Sequence, residues 1–340
     1  MVSIKDIAKK CDVSTATVSK ALNDCSDISE STKKRIREIA KELGYFPNSQ
    51  ARSLKINRTF SIGIIFEDRL GSGLRHSFFS SVLDSFKTEA EKRGYDIIFI
   101  GSDKTGKKMS YYEHCKYRNV DGVLLACADF YDPDVRKLKQ KDNGLPVVSL
   151  DFFSKDDYSV YSDNRQGMRD IIEYVYDMGH RKIGYIYGDT SQVTTVRLDS
   201  FRETMKQLGL SVEIDYVHQG KYNDIESTRK LVKDMLTLYD PPTCIILPDD
   251  IAAYGAYQAA KDLNIKIPDD ISIVGFDGNE VSQLVEPKLT TVFQNTKILG
   301  ISAADLLLKL INKENISEMQ RQVVVETKLL KGQTVKDLTK

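Results

Sequence analysis

IKDIAKKCDVSTATVSKALN, residues 4–23, carries two helical patterns with almost nothing between them. Ile4, Ile7, Ala8 and Cys11 stand at i, i+3, i+4 and i+7, and Val18, Ala21 and Leu22 repeat the start of that spacing. Only Cys11, Asp12 and Val13 separate the two, and Ser14 is of the type that accepts a backbone N–H at a helix start. Two short helices joined so tightly predict a helix-turn-helix. Ile36, Ile39, Ala40 and Leu43 predict a third helix, with Gly44 placed to end it, so the three share one small core. The outward side of the second helix is not the Glu/Lys-rich face of an ordinary surface helix. It offers Thr15, Ala16, Thr17, Ser19, Lys20 and Asn23. In this motif the second helix enters the major groove of double-stranded DNA, where small side chains let the backbone come close. Thr15 and Ala16 can touch a thymine methyl or a base edge, and Ser19, Lys20 and Asn23 can donate to phosphates or bases. Lys33, Lys34, Arg35 and Arg37 are read mainly as a solvated face.

The charge distribution agrees with a nucleic-acid partner. The 340 residues hold 49 Lys/Arg and 49 Asp/Glu, yet residues 1–59 hold 12 against 7, a basic head on a mildly acidic body. A hydrophobic share of 41% is ample for two or three globular domains. The five cysteines (11, 25, 115, 127 and 244) form no C-x-x-C pair, which argues against a disulfide framework and a zinc site. The opening MVSIKDIAKK has no apolar secretory stretch, and no segment reaches the about 18–20 apolar residues of a membrane span, so a cytoplasmic location without membrane contact is expected. GSG at 71–73 stands alone, no phosphate loop or nucleophile elbow occurs, and the four histidines are scattered. Neither catalytic residues nor a cofactor or metal is expected.

From Phe60 onward, short β-branched runs at 61–66, 96–100, 121–126, 146–151, 182–187, 243–248 and 271–276 alternate with helical patterns such as 78–93, 165–178, 196–208 and 250–263. The alternation predicts an α/β body with two parallel sheets covered by helices. Two lobes imply a cleft, and ligands in such folds sit beyond the carboxyl ends of the strands. Between head and body, Asn48 can cap a two-turn helix carrying Ala51 and Leu54, too short to be stable without a partner.

The stretch 4–23, followed by GYFPNSQARSLK (44–55), resembles the headpiece of the LacI/GalR family of bacterial transcription regulators. The resemblance continues through SDNRQGMRDIIEYVYDMGHRKIGYIYG (162–188), DDISIVGFDG (269–278) and LTTVFQ (289–294). It implies a helix-turn-helix headpiece at 1–46, a hinge helix and linker at 47–59, and a periplasmic-binding-protein-like core at 60–340. The core would be an N-lobe (about 60–160 and 291–321) and a C-lobe (about 161–290 and 322–340), with crossovers near 160, 290 and 322. The hinge helix would pair with its twin in a homodimer and press Leu54 into the minor groove, with Asn48, Arg52 and Lys55 at phosphates or the minor groove.

For the cleft, the same resemblance implies an effector pocket of Phe78, Asp151, Arg197, Asp250, Asp277 and Gln294. This chain departs from the family pattern at His76, Ser77, Ser200 and Asp249, and 67–74 is longer than usual. The expected function is a dimeric repressor on a pseudo-palindromic operator, released by a small sugar-type effector. The alternatives are activation by a corepressor such as a purine or sugar phosphate, a sugar-converting enzyme fused to a DNA-binding head, and an architectural DNA binder.

Overall fold

Three serines start the three N-terminal helices. Ser3 forms a capping box with Asp6 ahead of α1 (Ile4–Cys11). Ser14 Oγ accepts the Thr17 N–H at 3.0 Å ahead of α2 (Thr15–Leu22), and Ser29 Oγ accepts that of Thr32 ahead of α3 (Glu30–Glu42). The turn between the first two is closed by Asp12 in the left-handed region, φ 54°. The apolar faces meet in a core of Ile7, Ala8, Cys11, Val18, Ala21, Ile36 and Ala40. One correction concerns Lys33. It is 5% exposed rather than solvated, because its ammonium reaches Glu30 at 2.7 Å and Asp24 at 3.1 Å.

The computed structural model describes residues 2–45, 58–67, 73–101 and 109–340, and the chain divides into two units, Met1–Thr59 and Phe60–Lys340. The second unit begins with β1 (Ser61–Phe66), α4 (Ser77–Lys92), β2 (Asp96–Phe99), α5 (Tyr111–Arg118), β3 (Gly122–Cys127), α6 (Pro133–Leu138), β4 (Val147–Leu150) and β5 (Ser159–Ser162). There follow α7 (Asn164–Asp177), β6 (Ile183–Tyr187), α8 (Gln192–Gln207), β7 (Val217–Gln219), α9 (Ile225–Leu236), β8 (Cys244–Ile246), α10 (Asp250–Asp262) and β9 (Ser272–Asp277). The chain ends through α11 (Val281–Leu284), β10 (Thr290–Gln294), α12 (Thr296–Ile311), β11 (Gln322–Val325) and β12 (Thr327–Leu330).

The described strands form two six-stranded sheets, β11-β5-β4-β3-β1-β2 in the N-lobe and β12-β10-β9-β8-β6-β7 in the C-lobe. Pairing is parallel except between β10 and β12, a departure from all-parallel sheets. The three crossovers follow β5, β10 and β11, a few residues later than 160, 290 and 322. The reason is pairing: β11 completes its ladder on β5 from Gln322↔Ser159 to Val325↔Ser162, and β10 completes its ladder on β9, before the chain leaves each sheet.

The sheets are buried on both faces, which is why β1 and β3 read as continuous apolar runs rather than alternating ones. Two close helix pairs cover them. In the N-lobe α12 lies on α4 where Gly300 faces the backbone of Val82 and Phe86; in the C-lobe α10 lies on α9 where Gly255 faces Ile225. A Cβ on Gly300 would stand 2.4 Å from the Val82 carbonyl oxygen. These positions hold glycine so that the helix backbones can touch.

Candidate functional site

The first candidate surface is the outward side of α2. Thr15 and Ala16, at its N-terminal end, are exposed. Thr17 is half-buried, and its hydroxyl lies 2.9 Å from Ser14 Oγ, so it serves the helix start. Lys20 is exposed but its ammonium bonds Asp27 at 2.5 Å, which raises its pKa. Asn23 donates to the Ser19 carbonyl at 2.7 Å and closes the helix end. Thr15 and Ala16 therefore have the side chains most available to a groove, Ser19 is half-buried, and the Lys20 ammonium is already engaged by Asp27. Asn48, Arg52, Leu54 and Lys55 lie outside the described residues.

The second candidate surface is the cleft between the lobes. A cavity of about 500 Å³ opens there, lined from the N-lobe by Phe78, Phe130, Asp151 and Phe152 among others, and from the C-lobe by Asp189, Gln192, Arg197, Tyr222, Asp277 and Gln294. Strand ends supply its polar groups. Asp151 follows β4, Asp277 closes β9 and Gln294 closes β10, while Arg197 projects from the second turn of α8. Both aspartates adopt positive φ, 51° at Asp151 and 105° at Asp277, so each turns its carboxyl group off the strand line.

Arg197 is the fixed centre. It is 3% exposed, its Nε donates to Asn164 Oδ1 at 2.7 Å, Nη1 donates to the Pro248 carbonyl at 3.2 Å, and Cζ stands 3.5 Å from the centroid of the Phe276 ring. The ring face and the two acceptors hold the guanidinium flat. Burial raises the carboxyl groups around it against its pull. Asp151 is pushed up to about 6, and Asp249 and Asp277 are also raised by burial, with Arg197 opposing in each case. Gln294 Nε2 donates to Asp277 Oδ1 at 2.7 Å, while Gln294 Oε1 and Asp151 Oδ1 are buried with no hydrogen-bond partner among the described residues. Buried acceptors left open in this way call for hydrogen-bond donors.

Phe78 is 8% exposed and packs edge-on against Phe79 at 5.2 Å, so it is both core and cavity wall. Asp250 is the departure. It does not line the cavity: its carboxylate accepts from Thr291 Oγ1 at 2.5 Å and from the Asn279 N–H at 2.8 Å. It ties β10 and the loop after β9 to the start of α10, and burial raises its pKa well above the usual carboxylate range. Asp249 before it caps α10, accepting from Ala252 N–H at 2.7 Å.

Several cavity residues escaped the sequence reading. Phe130 and Phe152 stack at 4.1 Å with their planes 7° apart, and the ammonium of Lys139 lies 4.5 Å from the Phe152 centroid. Tyr222 donates or accepts at Thr194 Oγ1 at 2.8 Å. The only signal for these was position just after a strand, which holds for many residues without a role. Among the described residues no helix is long and apolar enough to cross a membrane.

Residues 3–48 match the family described as bacterial regulatory proteins, lacI family, and residues 172–335 match the periplasmic binding protein-like domain. The HTH-type transcriptional repressor PurR of Klebsiella pneumoniae (strain 342) is 31% identical over 343 residues, covering 99% of this chain and 98% of that protein. Among solved structures, the lac repressor dimer bound to operator and the anti-inducer ONPF superposes with a TM-score of 0.83 at 24% identity, covering 98% of this chain and 99% of that one. The transcriptional regulator CelR in complex with cellobiose superposes with a TM-score of 0.71 at 23% identity, covering 98% and 100%. The head, the two-lobed core and a relative matched along almost its full length lead to one conclusion: this chain belongs to the lacI family of bacterial regulatory proteins, DNA-binding transcriptional repressors with an effector-binding core.

Proposed function

We propose that this repressor binds a pseudo-palindromic operator as a homodimer in the cytoplasm and is released by a neutral, sugar-type effector held between its lobes. Residues 1–46 act as the headpiece, 47–59 as the hinge, and 60–340 as the effector-binding core. Thr15, Ala16 and Ser19 meet bases or phosphates, Lys20 and Asn23 exchange their present partners to do so, and Leu54 wedges the minor groove between Arg52 and Lys55. In the cleft, Phe78 covers an apolar sugar face while Asp151, Asp277, Gln294 and Arg197 take its hydroxyls.

One observation carries the effector reading. Arg197 has Nε and Nη1 committed to Asn164 and Pro248, and Asp151, Asp249 and Asp277 surround it. Nε and one Nη1 N–H are therefore taken, so the side-on fork is not open to a phosphate or carboxylate; the Nη2 donors and one Nη1 N–H remain for a ligand, and the acidic neighbours disfavour an anion there. Hydroxyl groups fit instead, since each donates to an open carboxyl oxygen. CelR, solved with cellobiose, supports a sugar. The corepressor alternative with a sugar phosphate is weakened by the same carboxyl groups. Closing of the lobes on the effector alters how the paired N-lobes carry the hinges, a coupling of about 1–3 kcal/mol in such systems.

The test combines thermal shift and operator mobility shift over neutral sugars, sugar phosphates and purines. The expected result is a neutral sugar that raises Tm and lowers operator affinity. A sugar phosphate or purine that raises Tm and strengthens operator binding would overturn the reading. In Arg197→Ala, operator binding should persist and the response to that sugar should vanish.

A further inference from the structure

Beyond Leu150 the chain leaves the N-lobe sheet, and three successive residues meet three different surroundings. Asp151 keeps its backbone on the sheet, its N–H donating to the Val160 carbonyl at 3.1 Å. Phe152 stacks on Phe130. Phe153 turns its backbone toward the opposite lobe. There it meets Gln192, the first residue of α8, twice: the Phe153 N–H donates to Gln192 Oε1 at 2.7 Å, and Gln192 Nε2 donates to the Phe153 carbonyl at 2.8 Å. A primary amide carries the donor and acceptor of a peptide unit, so this side chain pairs with Phe153 as a neighbouring strand would.

Both ends of the contact are anchored. The Phe153 ring stacks on Tyr161 of β5 at 4.6 Å, and the Tyr161 hydroxyl donates to Gln322 Oε1 at 3.3 Å on β11. On the other side, Ser191 caps α8 through the Thr194 N–H at 3.1 Å, and the same helix carries Arg197 one and a half turns on. The residues gripped on the N-lobe side adjoin Asp151 and Phe152, both in the cavity wall.

We propose that Gln192 is a positioning residue that latches the two lobes together, so that closing the cleft and bringing Asp151 and Phe152 to face Arg197 are one event. The latch is made of protein alone and is independent of which molecule fills the cavity. It sets how much closed form exists before an effector arrives, and an effector adds its own affinity to that starting ratio. Two hydrogen bonds of ordinary net strength change such a ratio by about tenfold or more.

Native-state hydrogen exchange at residue resolution tests this on the full-length protein without added ligand. In the wild type the Phe153 amide should be protected. In Gln192→Ala it should exchange about tenfold faster, while the Asp151 amide, bonded within the N-lobe sheet, keeps its protection. Gln192→Glu, of the same shape, retains the acceptor for Phe153 N–H but sets a carboxylate against the Phe153 carbonyl at pH 7. It should raise the radius of gyration in small-angle scattering with the Asp151 amide unchanged. A Phe153 amide that exchanges equally fast in wild type and Gln192→Ala, or an unchanged radius in Gln192→Glu, would overturn the latch. A protein in which the latch holds but no sugar shifts Tm would sink the sugar reading instead.

Discussion

Arg197 and Asp151 face each other across the lobes, and each is shaped by what the other lacks. The guanidinium is held flat by Asn164, Pro248 and the Phe276 ring, so its geometry precedes any ligand. Arg197→Lys keeps the charge but cannot reach Asn164 and Pro248 in that fork. Loss of the buried bond to Asn164 should cost about 1–3 kcal/mol, read by denaturant unfolding. Asp151 has a pH signature of defined sign. Burial raises it to about 6, so the native state holds a proton that the unfolded chain releases near 3.8. Stability then falls as pH rises from about 4 through about 6. Asp151→Asn should remove this part of the slope, making the variant gain on the wild type between about pH 4 and 6 and hold that gain above it; a stability difference that stays constant across that window would refute it.

At the level of elements, two junctions make predictions of their own. Gly300 lets α12 touch α4, and Gly300→Ala places a methyl against the Val82 backbone, which cannot rotate away. The loss should be about 1–3 kcal/mol in unfolding free energy. His180, just after α7, bonds Thr243 Oγ1 at 2.9 Å and the Lys336 carbonyl at 3.2 Å, joining β8 to the C-terminal segment. Burial lowers its pKa from 6.5, so the unfolded chain takes up a proton first as pH falls. Its contribution is complete above 6.5 and is lost as pH drops below it. Thermal unfolding should show a steeper acid-side loss in wild type than in His180→Gln, and the Leu338 amide, which donates to Met178, should lose protection in the same range.

For the whole molecule, the division of charge matters most. A net positive head and a net negative body make DNA attraction a property of the first 59 residues. Within that head Asp27 holds Lys20. Asp27→Ala should raise operator affinity and steepen its dependence on log salt by up to about 1, the contribution of one more phosphate contact; an unchanged slope would mean that Lys20 does not reach a phosphate. Leu54→Ala, outside the described residues, should reduce operator bending, measured by circular-permutation mobility, while thermal unfolding of the core stays unchanged.

Elements whose signal is local are legible along the chain without any structure. The serine start of α2, the seven apolar strand runs and the helix spacing between them all follow from periodicity and capping, which act over a few residues. The family match then pointed to Arg197, Asp151, Asp277 and Gln294, which the cavity brings together. The rest depends on contacts between segments far apart in the chain. The short strands β5, β7, β10, β11 and β12 are of three to five residues and gain their identity from partners far along the chain. Asp250 has the type and position of a ligand contact, yet Thr291 and Asn279 take its oxygens first. Phe130, Phe152 and Gln192 look like ordinary loop and helix residues until two lobes meet. Each outcome turns on which groups are buried opposite one another, and burial between distant segments leaves no periodic trace in the chain.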